Sequence, residues 1–370
     1  MILRVPSYYK EFRCIADKCK DSCCIGWGID IDEDTRAYYS GIEGTFGKRL
    51  RDALETDEEG VVGFKLREDG WCPFLNEKKL CEICITLGEE ALSEVCTEYP
   101  RFTMEYGNVR EKCLCLSCEE VGRLLFSEEE NVTFEEYEIA DAWQEEEDTE
   151  REMELGGKLE DIRNETIKIL ENREKSIFTR MAEVLTYCKE AQKQLFGGAP
   201  EEEEKADIGT PYEHFSERMR LFEELEPFGE TWGDLLAQMK PTFSSAEVYD
   251  RLHREFWEMN RSWEYTYEKL MVYFLFRYFM RAVYDDNLFG KVQFAVLSVL
   301  AIIDLDVWRA NCNGGTFSLK DRIETAALYA KEVEHSEENV DLLMEDIWFE
   351  DIFAGDSLRT LVLNYNTYRK

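Results

Sequence analysis

The sequence predicts a mainly α-helical protein with a small Cys-rich α+β metal-binding domain, containing a short β-meander, at its N-terminus and a helical bundle at its C-terminus. Eleven of the thirteen cysteines lie in the first 118 residues, among short apolar runs that turn residues separate. Beyond them, most segments carry apolar residues at helical spacing. The predicted domains are the Cys-rich domain (1–126), an acidic connector (127–154) and an acidic helical domain (155–370).

The first domain mixes short strands and short helices. Asp32 or Asp34 can cap a helix that runs to about Leu54, with glycines at 41, 44 and 47 as a weak spot. A further helix is predicted to begin at Glu119. The remaining predicted elements are a strand over 27–32, a meander of the runs 61–66, 71–75 and 80–83, and a short helix over 88–96.

The last domain is predicted to be helical throughout. Residues 155–196 form one long helix or two, and Arg277 and Arg281 interrupt an apolar segment that is typical of a buried central helix. No repeat period is visible, so a general helical bundle is expected rather than a solenoid. The other predicted helices are 212–225, 231–239, 245–259, 262–285, 289–303, 320–333, 339–353 and 357–368.

The formal net charge of −36 excludes some classes of partner. Nucleic acid is not expected, because phosphate binding needs a concentrated basic surface. A negative surface would steer cationic groups such as lysine side chains, although solubility alone is the simpler explanation. The weakly polar run Val292–Ile303 is too short to span a bilayer, and the N-terminus lacks a secretory signal, so we expect a cytoplasmic protein without a membrane partner.

In a reducing compartment the dense cysteines favour a metal site over disulfides. All three histidines lie outside the Cys-rich region, so the ligand set would be sulfur alone, which suits zinc or an iron–sulfur cluster. Only Cys81-x2-Cys84 and Cys115-x2-Cys118 have the spacing of a zinc knuckle, while Cys188 and Cys312 are expected in the core. No Walker motif, Rossmann glycine loop or nucleophile elbow is present.

Several separated segments resemble the flagellin lysine N-methylase family, whose cysteine motif of the CxxCxxCC type also occurs in a wider group of zinc- or iron-chelating domains. The segments are Pro6-Ser-Tyr-Tyr-Lys-Glu-Phe-Arg-Cys14, Cys19-Lys-Asp-Ser-Cys23-Cys24-Ile-Gly-Trp27, Cys72-Pro-Phe-Leu, Leu80-Cys81-Glu-Ile, Cys96-Thr-Glu-Tyr-Pro-Arg101 and Leu116-Ser-Cys118-Glu-Glu. The resemblance implies a cytoplasmic enzyme that transfers methyl groups from S-adenosylmethionine to lysines of flagellin, its partner, with a [4Fe-4S] cluster involved. The metal-ligand candidates that it implies are Cys14, Cys19, Cys23, Cys24, Cys72, Cys81, Cys96 and Cys118.

The same residues limit how S-adenosylmethionine could bind. After Cys19-x3-Cys23, the third position of a radical S-adenosylmethionine loop is Gly26, and no Rossmann loop is present. We therefore expect an open iron, or a pocket beside the cluster, to hold the methionine portion of this cofactor. Arg101 is a candidate for pairing with the cofactor carboxylate, and Trp27 for contacting the bound groups, although an ion pair or core packing would also explain them.

A second interpretation has no catalysis. Zinc held by four thiolates would then stabilise the fold of a small domain, and the helices would present an acidic docking surface to another protein. An iron–sulfur electron carrier is a third possibility. The catalytic base is not identified by the sequence under any of the three.

Overall fold

The computed structural model describes the chain apart from residues 21, 27, 58–59, 141–148, 198–208, 228–229, 350, 354 and 370. The chain divides into two compact units. The Cys-rich unit consists of Phe12–Phe102 with Cys118–Glu120, and the helical unit consists of Met1–Glu11, Thr103–Ser117 and Val121–Lys370. Most of the Cys-rich unit, Phe12–Phe102, is therefore inserted in the chain between two segments of the helical unit, Met1–Glu11 and Thr103–Ser117.

This division differs from the predicted contiguous domains because of one sheet in the helical unit. Its strands lie in the order β4 (Arg101–Tyr106), β5 (Val109–Leu114), β1 (Ile2–Pro6) and β6 (Phe134–Glu138), with β1 parallel to β5 and antiparallel to β6. Pairing of β1 with strands more than 100 residues away leaves no local sequence pattern, so this sheet was not predicted. The strands of the described chain are β1 (Ile2–Pro6), β2 (Leu54–Thr56), β3 (Val62–Phe64), β4 (Arg101–Tyr106), β5 (Val109–Leu114) and β6 (Phe134–Glu138).

The predicted acidic connector is structured in part. β6 lies inside the connector, and helix α6 (Thr149–Leu170) begins before the connector's predicted end. Residues 141–148 lie outside the described residues. β6 is ordered because its main chain pairs with β1 over five residues, from Ile2 opposite Glu138 to Pro6 opposite Phe134. The acidic composition of residues 127–154 gave no indication that this segment pairs with β1.

Short helices and one hairpin form the Cys-rich unit. In place of the predicted meander, the described residues contain the β2–β3 hairpin and three isolated bridges, Ile25–Trp71, Asp30–Gly63 and Leu75–Cys81. The predicted strand at 27–32 is likewise reduced to the bridge at Asp30, and Trp27 lies outside the described residues. Pro73, which has no N–H to donate, interrupts the central run of the predicted meander. The helices here are α1 (Glu33–Gly41), α2 (Gly44–Asp52), α3 (Glu82–Leu87) and α4 (Glu94–Glu98).

Asp32 caps α1, as one of the two predicted alternatives, and also holds α4. Its carboxylate accepts the Thr35 N–H at 2.8 Å and the Glu94 N–H, the first residue of α4, at 2.9 Å. The helix predicted as continuous to Leu54 breaks after Gly41, and α2 resumes at Gly44. A Cβ at Gly47 would lie 1.9 Å from the Ile42 carbonyl oxygen, so only glycine permits the close approach at this break.

We expect Asp32→Ala to lower the free energy of unfolding by about 1 to 2 kcal/mol, because N–H groups of two helices lose their acceptor. The hydrogen bonds from Glu94 and Thr35 lower the pKa of Asp32, so this stabilisation is present above about pH 4 and is lost as the pH falls through the lowered pKa. Urea denaturation at pH 7 and pH 3 measures both effects. A loss that is equal at the two pH values would contradict this role.

The helical unit confirms the mainly α-helical prediction. The predicted segment 155–196 contains two helices, which residues 171–176 separate, and most predicted helices beyond it occur within a few residues of their expected ends. The long apolar segment after residue 262 is divided between α11 and α12 by a single turn of 3-10 helix. The helices are α5 (Glu119–Phe126), α6 (Thr149–Leu170), α7 (Ile177–Phe196), α8 (Pro211–Glu224), α9 (Glu230–Thr242), α10 (Ala246–Asn260), α11 (Glu264–Tyr278), α12 (Ala282–Asp285), α13 (Leu288–Cys312), α14 (Leu319–Glu334), α15 (Glu337–Phe349) and α16 (Gly355–Asn364).

Helix α13 is the centre of the helical unit. Every residue from Leu288 to Trp308 is buried, and α7, α11 and α14 are among the helices packed around it. The sequence analysis underestimated the length of this apolar segment, because it counted only the run Val292–Ile303. The helix has 25 residues and, by length and composition alone, could cross a membrane. Its burial inside the fold is the pattern of a core helix.

A buried ion pair joins α11 to α14. Arg277, predicted to lie on a buried helix, is 7% exposed, and its Nε lies 3.2 Å from a Glu334 carboxylate oxygen. Tyr273 and Tyr278 donate their hydroxyls to the same carboxylate at 3.0 and 2.9 Å. Burial raises the pKa of Glu334 to about 7 and lowers the pKa of the neighbouring His335 to about 4.

These two pKa shifts predict opposite contributions to stability. The contribution of Glu334 is fully present below about pH 4.5 and is lost as the pH rises to about 7, whereas that of His335 is present above about pH 6.5 and is lost as the pH falls to about 4. We expect the stability of the wild type relative to Glu334→Gln to fall by up to about 3 kcal/mol between pH 4.5 and 7. Denaturation across this range, with the surface variant Glu255→Gln as control, checks this. Parallel profiles for the wild type and Glu334→Gln would contradict it.

Candidate metal centre

The cysteines of the Cys-rich unit are positioned around one small hydrophobic core. Cys72 is part of that core, and Cys24, Cys81 and Cys96 pack against it while half-buried. The core residues are Ile29, Ile31, Tyr39, Leu50, Phe64, Cys72, Phe74, Leu75, Ile83 and Ala91. Four sulfur-bearing residues from segments up to 72 positions apart therefore share one packing environment.

Main-chain hydrogen bonds fix the segments that carry these thiols. The Cys72 N–H donates to the Cys24 carbonyl at 2.9 Å, which joins the first cysteine segment to the second. The Leu75–Cys81 bridge then places Cys81 at the N-cap of α3. Cys96 lies within α4, whose first N–H is held by Asp32.

Four thiols are mutual electrostatic neighbours: Cys23, Cys72, Cys81 and Cys96, here named the four-cysteine cluster. Burial raises the pKa of Cys72 to about 12 and that of Cys96 to about 11, and it also raises the pKa of Cys81. The neighbouring thiols raise these pKa values further, and the couplings include all six pairs of the cluster. A cation at this point would be favoured because it would stabilise the thiolate forms that these couplings disfavour.

Cys23 and Cys24 differ in their surroundings although they are adjacent. Their sulfur atoms lie 3.9 Å apart. Cys23 is exposed and couples to the other thiols of the four-cysteine cluster, whereas Cys24 is half-buried against the core. The turn that carries them is held by the Cys24 N–H, which donates to Ser22 Oγ at 3.2 Å.

The remaining predicted ligands lie in other surroundings. Cys14 is exposed and is an electrostatic neighbour of Cys84, whose pKa is raised by burial and then by Glu89 and Cys14. Cys19 Sγ lies 3.7 Å from a Glu119 carboxylate oxygen, next in the chain to the half-buried Cys118. The structure thus joins four of the eight predicted ligands electrostatically and sets a fifth, Cys24, beside them.

The chemistry of the donors fits a thiophilic metal. None of the thirteen cysteines, all of which lie among the described residues, forms a disulfide, so no disulfide competes for the cluster. The buried Ser93 hydroxyl has no hydrogen-bond partner of normal geometry, and it lies beside Cys96, where it lowers the pKa of that thiol and could donate to a metal-bound sulfur. Among the described residues, no group of three or more His, Cys, Asp or Glu side chains is arranged to hold a metal ion as it stands. Binding would therefore require the thiols to reorient.

Two cysteines that are not among the eight predicted ligands belong to the helical unit. Cys113 and Cys115 are buried, and Ser117 Oγ donates to Cys115 Sγ at 3.0 Å while lying 2.7 Å from His335 Nε2. Sequence reasoning missed this group and its connection through Leu116 N–H to the Tyr273 hydroxyl at 3.3 Å. The sequence signal that could have indicated this buried polar group is Arg277, a charged residue inside an otherwise apolar helix.

Of the two residues predicted to contact the cofactor, Arg101 is among the described residues and Trp27 is not. The Arg101 guanidinium lies 5.4 Å from the centre of the Phe12 ring and donates to the Thr97 carbonyl at 3.2 Å, which ties it to the end of α4. A role in binding a cofactor carboxylate stays a prediction. Trp27 lies outside the described residues.

A family model described as the FliB lysine N-methylase C-terminal domain matches residues 163–361, more than half of the chain. The chain belongs to the FliB lysine N-methylase family. The matched part lies within the helical unit and includes Arg277, Glu334 and helix α13. The cysteines of the four-cysteine cluster lie outside it.

Curated relatives match about a third of the chain's length. The lysine-N-methylases of Salmonella typhimurium and Salmonella choleraesuis are each 30% identical over 127 residues, which cover 31% of this chain and 30% of theirs. The flagellar biosynthetic protein FliU of Salmonella muenchen is 34% identical over 121 residues, covering 31% of this chain and 72% of its own length. The match therefore spans less than a third of the lysine-N-methylases. No solved structure gives a significant match.

Proposed function

We propose that this protein is a lysine N-methyltransferase that uses S-adenosylmethionine and an iron–sulfur cluster to methylate flagellin. The observation that carries the proposal is the four-cysteine cluster, formed by residues far apart in a chain that belongs to the FliB lysine N-methylase family. The names of the relatives support lysine as the acceptor and flagellin as the partner. A cytoplasmic location belongs to the same proposal.

Cys23, Cys72, Cys81 and Cys96 would hold the metal centre. When bound, a [4Fe-4S] cluster would supply electron transfer or Lewis-acid chemistry, which the side chains of the protein lack. The high thiol pKa values mean that these cysteines must release protons as the metal binds, so loading should be faster and tighter at higher pH.

The acceptor lysine sets a second requirement. Its ammonium group must lose a proton before the amine can attack a methyl group, so a base and a partly desolvated pocket are needed. The net charge of −36 would draw cationic lysines toward the protein, which raises the rate of encounter rather than that of the chemical step.

The experiment combines metal analysis with methyl transfer. Protein reconstituted anaerobically with iron and sulfide is incubated with isotopically labelled S-adenosylmethionine and flagellin, and lysines are analysed by mass spectrometry. We expect a brown protein and label on flagellin lysines, with Cys96→Ser as the matched variant that loses both. An intact cluster without labelled lysine would contradict the enzyme, and a colourless chain with one zinc would contradict the iron–sulfur cluster.

The second candidate is a protein-binding module stapled by zinc. It is favoured by one observation: the four-cysteine cluster, whose members are electrostatic neighbours, supplies the number and kind of side chains that a structural zinc site uses. In that case the methyl-transfer assay gives no product, whereas removal of zinc by a chelator lowers the thermal stability of the protein.

A further inference from the structure

Strand β6 forms one edge of the four-stranded sheet in the helical unit. The Ile139 N–H donates to the Met1 carbonyl at 3.1 Å, and in the register of this antiparallel pair the odd-numbered residues of β6 direct their main-chain groups toward β1. The main-chain N–H and C=O groups of the even-numbered residues therefore point away from β1. These groups, here named the β6 edge, belong to Phe134, Glu136 and Glu138.

The β6 edge offers donors and acceptors that no described residue uses. The opposite edge of the sheet is different, because the Glu105 carbonyl of β4 accepts the Tyr284 hydroxyl of α12 at 2.7 Å. An edge strand with unpaired main-chain groups can pair with an extended segment of another chain, which then becomes a further strand of the sheet.

The side chains of β6 favour a cationic partner. Glu136 and Glu138 share one face of the strand and are exposed. On the other face, Lys10 Nζ lies 3.6 Å from the centre of the Tyr137 ring and 3.5 Å from a Glu135 carboxylate oxygen, so this strand already binds one lysine. A second copy of β6 at the edge would place glutamates beside glutamates, which repel. The charges therefore select a lysine-bearing segment over a second copy of this chain.

We infer that the β6 edge binds an extended, lysine-bearing segment of a partner protein as an additional strand. The inference rests on the proposed function, because it takes this segment to be the one that carries the acceptor lysine. Main-chain hydrogen bonds supply the affinity, and the glutamates of β6 supply the preference for lysine at cross-strand positions. A lysine within a helix of the partner cannot dock in this way.

Synthetic peptides test the strand pairing directly. The probe is a fluorescent peptide of alternating Thr and Lys residues, and fluorescence anisotropy measures its binding at low ionic strength. One matched peptide carries Glu in place of Lys, and another keeps its lysines but carries an N-methyl group on every main-chain nitrogen. We expect each matched peptide to bind at least about tenfold more weakly than the probe. Equal binding of either one would overturn the inference.

Protein variants locate the binding site. Glu138→Pro removes an N–H of the β6 edge and keeps the hydrogen bonds to β1, so binding should weaken by about tenfold or more. Glu138→Gln keeps that N–H and should weaken binding by about fivefold or less. The control Glu255→Gln, on the exposed surface of α10, should bind as the wild type does. Unchanged binding by Glu138→Pro would overturn the inference.

Hydrogen exchange followed by mass spectrometry gives the same information without a variant. The probe should slow exchange of the Glu136 and Glu138 amides, and slowing only at other residues would overturn the inference. Sedimentation tests the alternative occupant: a dimer that Glu138→Pro dissociates would show that a second copy covers the edge, and would overturn the inference as well.

The peptide assay is independent of the methyl-transfer assay. Binding of the probe at the β6 edge, together with an absence of labelled flagellin lysines, would contradict the enzyme and leave the docking site. Labelled flagellin lysines, together with an absence of probe binding, would overturn the docking site and leave the enzyme.

Discussion

Replacement of Cys72 by serine is expected to lower the affinity for the metal centre by more than about 100-fold, so that the variant retains almost no iron after reconstitution and desalting. Cys72 is the most buried thiol of the four-cysteine cluster and has no adjacent cysteine to replace it. A serine hydroxyl is a hard ligand that stays protonated at neutral pH, and it cannot substitute for a soft thiolate. Iron content and visible absorbance measure the loss.

Cys188→Ser is the matched control for this variant. Cys188 is also buried, and burial raises its pKa to about 12, as it does for Cys72. Its sulfur lies 3.3 Å from Thr166 Oγ1 in the helical unit, so a serine hydroxyl would find a hydrogen-bond partner there. Equal iron content in the two variants would show that Cys72 is not a ligand.

Replacement of Arg322 by methionine should destabilise the protein by about 3 to 5 kcal/mol, because it leaves a buried carboxylate without its cation. Arg322 and Asp306 are both fully buried and form a direct ion pair between α14 and α13. Tyr267 and Thr325 donate hydroxyls to Asp306 at 3.0 and 2.5 Å, but neutral donors cannot replace the positive charge. Chemical denaturation followed by circular dichroism measures this effect.

Two comparisons show whether charge or packing is responsible. The double variant Arg322→Met with Asp306→Leu removes both charges, and we expect it to recover much of the lost stability. The exposed pair Arg251 and Glu255 provides the surface control: Arg251→Met should cost less than about 0.5 kcal/mol. If the double variant is less stable than Arg322→Met, loss of packing rather than an unpaired charge explains the effect.

The parts of the fold that follow local periodicity were predictable. Apolar residues at helical spacing gave nearly every helix of the helical unit, and the cap of α1 followed from Asp32. The four-stranded sheet was missed because β1 and β5 pair across more than 100 residues, and this partnership depends on tertiary packing. The meander was over-predicted, since alternating residues in a short loop resemble a strand when no partner is known.

The sequence indicated which residue type would form the candidate site but not which cysteines lie near one another. The family resemblance implied eight cysteine ligands, yet their spacing could not reveal which of them share one environment. That grouping depends on the Cys72–Cys24 hydrogen bond and the Leu75–Cys81 bridge. The charged groups buried around Glu334 were hidden for a related reason: an acidic residue near a helix end normally indicates a surface position.

The apolar character of α13 has a consequence during synthesis of the chain. While the chain is still bound to the ribosome and unfolded, this segment has the features that chaperones and membrane-insertion machinery recognise. Two of the helices that cover it, α7 and α11, are translated earlier, while α14 and α15 follow. The nascent protein can therefore shield one side of this segment as it emerges, and the other side stays exposed until α14 and α15 are made.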